Sequence, residues 1–88
     1  MPRTNSSLEY SRMIGAVLRA RRIEVGLTQT QLGERLEVSQ SYVNRMEAGT
    51  INMTVGQLGR VCENLGATLR VRLDVPEHDP LLERMLAR

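Results

Sequence analysis

From Leu8 onward the hydrophobic positions fall at helical spacing, with Ile14, Val17, Leu18 and Val25 three, four and seven apart. This predicts a first helix that Gly26 stops, because glycine takes up the left-handed backbone of a helix end at little cost. The next residues, Leu27-Thr28-Gln29-Thr30-Gln31-Leu32, form a complete helix-start signal. Thr28 is the N-cap, Gln31 completes a capping box three residues on, and Leu27 is placed to staple onto Leu32. This second helix is short and ends near Leu36. Ser39 then caps a third helix whose apolar side is Val43 and Met46, and Gly49 ends it. Thr54 and Gln57 repeat the capping box, with Met53 opposite Leu58. They open a fourth helix expected to bury Val55, Leu58, Cys62 and Leu65 before Gly66.

After Gly66 the period changes. Ala67, Leu69, Val71, Leu73 and Val75 alternate with Thr68, Arg70, Arg72 and Asp74, a strand pattern that Pro76 terminates. Asp79-Pro80 restarts a short helix with Leu81, Leu82, Met85 and Leu86 as its stripe, too short to hold without packing on something. The divisions are therefore a flexible tail over 1–7, a helical domain over 8–66, a strand over 67–75 and a short helix or tail over 76–88. A lone strand leaves backbone donors and acceptors unpaired on both edges. The expected solution is the same strand from a second copy, antiparallel about a two-fold axis, with Leu69, Val71 and Leu73 as dimerising residues. The expected fold is mainly α: a compact four- to five-helix bundle with one C-terminal β-strand pairing across a homodimer.

Composition narrows the chemistry. The 88 residues are 41% hydrophobic and 25% charged, an ordinary globular balance. Tyr10 and Tyr42 are the only aromatics, so the core must be aliphatic. One cysteine, Cys62, excludes an internal disulfide and a cysteine-rich zinc module, and favours a reducing, cytoplasmic compartment. Its place on the apolar face of the fourth helix suits an inert buried thiol better than a redox sensor. No apolar run is long enough for a bilayer, and the polar N-terminus lacks a signal-peptide core, so no membrane partner is expected. His78 stands alone, so no triad, metal cluster or cofactor is implied, and an enzyme is not expected. All twelve basic residues are arginine. Within residues 1–22, Arg3, Arg12, Arg19, Arg21 and Arg22 face Glu9 alone, whereas residues 76–88 carry Glu77, Asp79 and Glu83 against Arg84 and Arg88. A basic end suits a polyanionic partner, and arginine-only usage equally suits a GC-rich genome.

Two short helices joined by a tight turn, Thr28–Leu36 then Ser39–Glu47, have helix-turn-helix geometry. The stretch Arg22–Gly49, RIEVGLTQTQLGERLEVSQSYVNRMEAG, resembles the phage-repressor (Cro/C1-type, or XRE) DNA-binding domain. The matching features are Gly-Leu-Thr-Gln at 26–29, Leu32, Val-Ser at 38–39 and the Glu-x-Gly at 47–49, and the resemblance spans roughly residues 12–66. It implies that the third helix enters the major groove of double-stranded DNA. Ser39 would open that helix, and Gln40, Ser41, Asn44 and Arg45 on its outward face are base-reading types. The resemblance also implies a phosphate contact from Gln29 and a salt bridge between Arg22 and Glu47. Tyr42 could reach a phosphate or pack against the first helix, and Arg19 and Arg12 could touch phosphates or remain solvated. Three positions depart from the pattern. Gly33 stands where alanine is usual, Glu37 where glycine often takes a left-handed turn, and Arg21 where leucine is common.

The following strand, ATLRVRLDV, makes the whole similar to HipB-type antitoxins. Three readings follow. One is a dimeric repressor on a palindromic operator that is also the antitoxin of a HipA-like kinase toxin. Another is a phage or restriction-system regulator with no toxin. The third is a protein or RNA adaptor that never reads DNA.

Overall fold

A computed structural model describes residues 6–87 of the chain. Its helices are α1 (Ser6–Glu24), α2 (Gln29–Leu36), α3 (Gln40–Ala48), α4 (Val55–Asn64) and α5 (Pro80–Leu86). The capping residues do what the sequence expects of them. Thr28 Oγ1 accepts from the backbone N–H of Gln31 at 3.0 Å while Thr28 N–H donates to Gln31 Oε1 at 2.8 Å. Thr54 and Gln57 make the same reciprocal pair at the head of α4. Ser39 Oγ accepts from Tyr42 N–H at the head of α3. Each cap satisfies amide protons that the first turn of a helix leaves without partners. At the other end of α3, Gly49 closes the helix at φ 79°.

Helix α3 packs against both α1 and α2, and α2 packs against α4. Between them lie Leu18, Leu32, Leu36, Val43, Met46, Val61, Cys62 and Leu65, an aliphatic core with a single thiol. Burial pushes the Cys62 thiol up from its ordinary pKa, which keeps it protonated and unreactive. The core face of α1 differs from the expected one. Gly15, Leu18 and Arg22 are turned inward, whereas Ile14, Val17 and Val25 are exposed. The cause is the crossing with α3. A Cβ on Gly15 would stand 2.5 Å from Glu47 O and 2.7 Å from Met46 O, so the backbone of α3 lies where a side chain would be. On α4 the inward residues are Val61, Cys62 and Leu65, and Val55 in the first turn faces solvent.

Three arginines tie the helix ends together. Arg21 Nε donates to Leu65 O at 2.9 Å, Arg60 Nη1 to Leu36 O at 3.2 Å and Arg35 Nη1 to Asn64 O at 3.4 Å. These carbonyls close α2 and α4, where intrahelical donors run out and the helix dipole is negative. Arg21 therefore sits in the seam without loss: its guanidinium caps the neighbouring helix.

The expected C-terminal strand is absent among the described residues, and with it the sheet shared between two copies. Residues 67–76 carry no regular secondary structure. Leu69 leans on the core, while Val71 and Leu73 are 84% and 86% exposed. Alternation marks which residues could share a strand face, but a strand exists only through a ladder with a second one. No second strand lies among the described residues. Leu69, Val71 and Leu73 are thus not residues of a β-seam. Beyond them Asp79 caps α5 and Pro80 occupies its first turn, as expected, yet no residue of that helix is buried. The Cα radius of gyration is 16.8 Å, against about 12 Å for a compact domain of this length, because residues 67–87 form an arm. The tail assigned to 1–7 falls partly within α1, which begins at Ser6, and residues 1–5 lie outside the described residues.

Two outcomes follow from the backbone geometry. Glu37 holds a left-handed conformation at φ 61° and ψ 41° between α2 and α3. Glu37→Gly is expected to stabilise the fold by about 1 kcal/mol, because removing the Cβ strain outweighs glycine's entropy. A lower melting temperature would show that the exposed Arg60–Glu37 pair at 3.8 Å outweighs the relief. The second outcome contrasts two helical glycines. Gly15→Ala should cost about 1–3 kcal/mol by forcing α1 from α3, whereas a Cβ on Gly59 meets nothing within 4 Å. Gly59→Ala should therefore gain up to about 1 kcal/mol from helix propensity alone. Denaturant titration of both variants reads the two signs.

Candidate nucleic-acid interface

The candidate surface is the outer face of α3 with the first turn of α2, and its foundation is buried. Arg22 and Glu47 are 8% and 7% exposed. Arg22 Nε donates to Glu47 Oε2 at 2.6 Å and Nη2 to Glu47 Oε1 at 3.0 Å, a two-pronged contact joining α1 to α3. The remaining arm, Nη1, donates to Leu27 O at 2.7 Å and fixes the chain just before α2. The hydrogen bond to Glu47 raises the Arg22 pKa further above its ordinary value, against the opposing effect of burial. The rigid guanidinium fork suits this three-way contact, which a lysine ammonium could not reproduce. The salt bridge that the resemblance implied is therefore present.

Glu47 has a further partner that the sequence did not reveal. Gln29 Nε2 donates to Glu47 Oε1 at 3.0 Å. A carboxylate only accepts, so the Gln29 amide must present its nitrogen inward and its oxygen outward. That oxygen accepts from Gln40 Nε2 at 2.6 Å and from Asn44 Nδ2 at 3.5 Å. A single polar path thus runs from the buried pair, through half-buried Gln29, to two exposed amides on α3. It fixes which way each amide points. Sequence alone offered one clue to it, the coincidence of three amide side chains and one glutamate on neighbouring turns of α2 and α3.

The other candidate residues divide by what holds them. Gln40, Ser41, Asn44 and Arg45 form an exposed face opposite buried Val43 and Met46. Ser39 is exposed, with its hydroxyl engaged as the helix cap. Tyr42 is half-buried and packs against the core beside Leu36, Val38 and Val61, on the α2 and α4 side rather than against α1. Arg19 and Arg12 are exposed on α1. The backbone of Arg12 lies against Gly49, where a Cβ would approach its Cα to 2.6 Å. Gly33 also proves to be a close approach. Its Cβ would meet Val38 O at 2.7 Å, so the tight turn between α2 and α3 leaves no room there for the alanine usual in the resemblance. No buried side-chain nitrogen or oxygen among the described residues lacks a hydrogen-bond partner.

Removing one member of the buried pair strands the other. Glu47→Ala is expected to destabilise the fold by about 3–5 kcal/mol. Arg45→Ala on the exposed side of the same helix should stay within about 0.5 kcal/mol. Urea unfolding followed by circular dichroism compares them, and equal losses would show that the pair contributes no more than a surface residue.

The model of the helix-turn-helix domain family matches residues 14–75. Among solved structures, two crystal structures of the clp gene regulator ClgR from Corynebacterium glutamicum are similar at 34% identity. One has a TM-score of 0.63 and covers 66% of this chain and 62% of that chain. The other has a TM-score of 0.65 and covers 67% and 76%. The chain thus spans less than two thirds of the length of the first of them. No curated protein matches the sequence. With its match over residues 14–75 and two capped helices joined by the turn at Glu37, the chain belongs to the helix-turn-helix domain family.

Proposed function

We propose that this protein is a sequence-specific DNA-binding transcription regulator that acts as a homodimer on a palindromic operator, and represses where that operator overlaps a promoter. The observation that carries the reading is the bonded path from Arg22–Glu47 through Gln29 to Gln40 and Asn44. A side chain that reads a base edge must be held before it binds, and amides on α3 are oriented here by a charge that cannot rotate away. In this docking Gln40, Ser41, Asn44 and Arg45 face base edges in the major groove, where amides suit adenine and guanidinium suits guanine. Gln29, in the first turn of α2, faces a phosphate with its second amide proton, and Arg19 and Arg12 add positive charge alongside. Ser39 and Tyr42 shape α3 more than they read DNA, one as its cap and the other as its packing. The likeness to a clp gene regulator supports the regulatory role. A HipA-like toxin partner drew its support from a C-terminal strand. Without that strand, a regulator that needs no toxin is the reading the surface favours.

The test begins with a binding site selected from a randomised duplex pool. At that site Arg45→Ala is expected to cost about 1–3 kcal/mol and to relax preference at one base pair. Gln29→Ala should weaken binding to random duplexes through the lost phosphate contact. It should weaken the selected site further, because Gln40 loses the acceptor that aims it. Equal losses for both variants on selected and random DNA would overturn this docking.

A further inference from the structure

We propose that the apolar groove between α1 and α4 seats the C-terminal helix α5 of a second copy, so that two chains exchange their arms. This rests on the homodimer named above and supplies its interface, independently of how DNA is read. The groove is a cavity of about 200 Å³ lined by apolar residues, among them Met13, Ile14, Val17, Leu58, Cys62 and Leu69. A second hollow continues past Leu65 towards Arg21 and Arg70. Val17, common to both, is 68% exposed on a face of α1 that no other helix among the described residues covers. Contiguous apolar surface of this kind marks an interaction site.

The complementary surface is on the same chain. Leu81, Leu82, Met85 and Leu86 line one side of α5, each at least half exposed. A helix of seven residues does not persist in water without packing, so this stripe needs a seat. Its own groove is poorly placed to provide one. Residues 70–79 contain no glycine, include Pro76, and alternate polar with apolar residues over 70–75, Val71 and Val75 being β-branched, which favours an extended course over a reversal. Ten such residues span roughly 33 Å, carrying α5 past the groove it leaves and within reach of another copy. Charge agrees with this. Residues 76–87 carry Glu77, Asp79 and Glu83 against Arg84 alone, and the rim carries Arg70 beside Arg21, whose guanidinium also pairs with Glu24 at 2.7 Å. Area agrees as well. Two symmetric seats, each taking four large apolar side chains, remove on the order of 1,500 Å² from water, within the range of stable interfaces, whereas one seat gives about half of that.

The experiment uses the full chain in a Cys62→Ser background. One preparation carries Val17→Cys with one affinity tag, the other Met85→Cys with a second tag. On mixing and mild oxidation, the expected product is a disulfide between differently tagged chains. A product confined to like-tagged chains, or an internal disulfide in a monomer carrying both substitutions, would overturn the exchange. Sedimentation of the unaltered chain and of Met85→Asp gives a second arm that keeps the proposal testable. The unaltered chain should be a dimer. Met85→Asp should be a monomer with the same helical content and melting transition for its α1–α4 body, and should keep its base preference on a half-site. A Met85→Asp protein that stays dimeric, or an unaltered chain that is monomeric at tens of micromolar, would overturn arm exchange while leaving the DNA reading standing. Loss of base preference in a properly folded monomer would count instead against the reading of α3.

Discussion

The bidentate contact between Arg22 and Glu47 is the constraint on which the rest of the molecule depends. Two charges taken out of water are costly, and a pair alone seldom repays that cost in stability. What this pair supplies is orientation. The guanidinium holds α1 against α3 and, through Leu27 O, sets where α2 begins. The second half of the Glu47 carboxylate then holds Gln29, and Gln29 holds the amides of α3. A hydrophobic replacement of the same volume could keep the helices together. It could not tell an amide which of its ends to present.

The same reasoning explains how a core of aliphatic side chains and one thiol stays specific. Leucine, valine and methionine pack in many nearly equivalent ways, so polar and steric devices must choose among them. Gly15 fixes the α1–α3 crossing by admitting the backbone of α3, and Gly33 does so at the turn between α2 and α3. Arginines 21, 35 and 60 then bind carbonyls at the ends of α2 and α4. Arginine in place of lysine throughout has a structural use here, because a planar fork reaches a carbonyl and still satisfies a second acceptor. The basic character of the chain is spent partly on its own helix ends, while Arg12 and Arg19 on α1 and Arg45 on α3 stay exposed.

Much of the site could be read before any coordinates. The caps at Thr28, Ser39 and Thr54, the stop at Gly49 and the outward face of α3 follow from local rules, since each involves residues within four positions of one another, whereas the left-handed turn at Glu37 was indicated by the resemblance. The contact between Arg22 and Glu47 came from resemblance, not from spacing. The link from Glu47 to Gln29, and from Gln29 to Gln40 and Asn44, was not legible. Those residues lie eleven to eighteen positions apart, and their meeting depends on the angle between α2 and α3.

The inner face of α1 and the fate of residues 67–75 mark the same boundary. Hydrophobic spacing pointed to Ile14 and Val17 as core, because apolar side chains at helical intervals normally face inward. The crossing at Gly15 turned α1 by less than a quarter of a turn and left them on a groove. Alternation over residues 67–75 pointed to a strand, but a strand is a relation between two segments, and period alone cannot provide the second. The sequence by itself determined where helices start and stop and which side chains α3 offers, because these are settled by neighbours along the chain. Only the tertiary structure decided which face of α1 is buried, which way the reading amides point and that the arm carries no sheet, because each of these needs a partner distant in sequence.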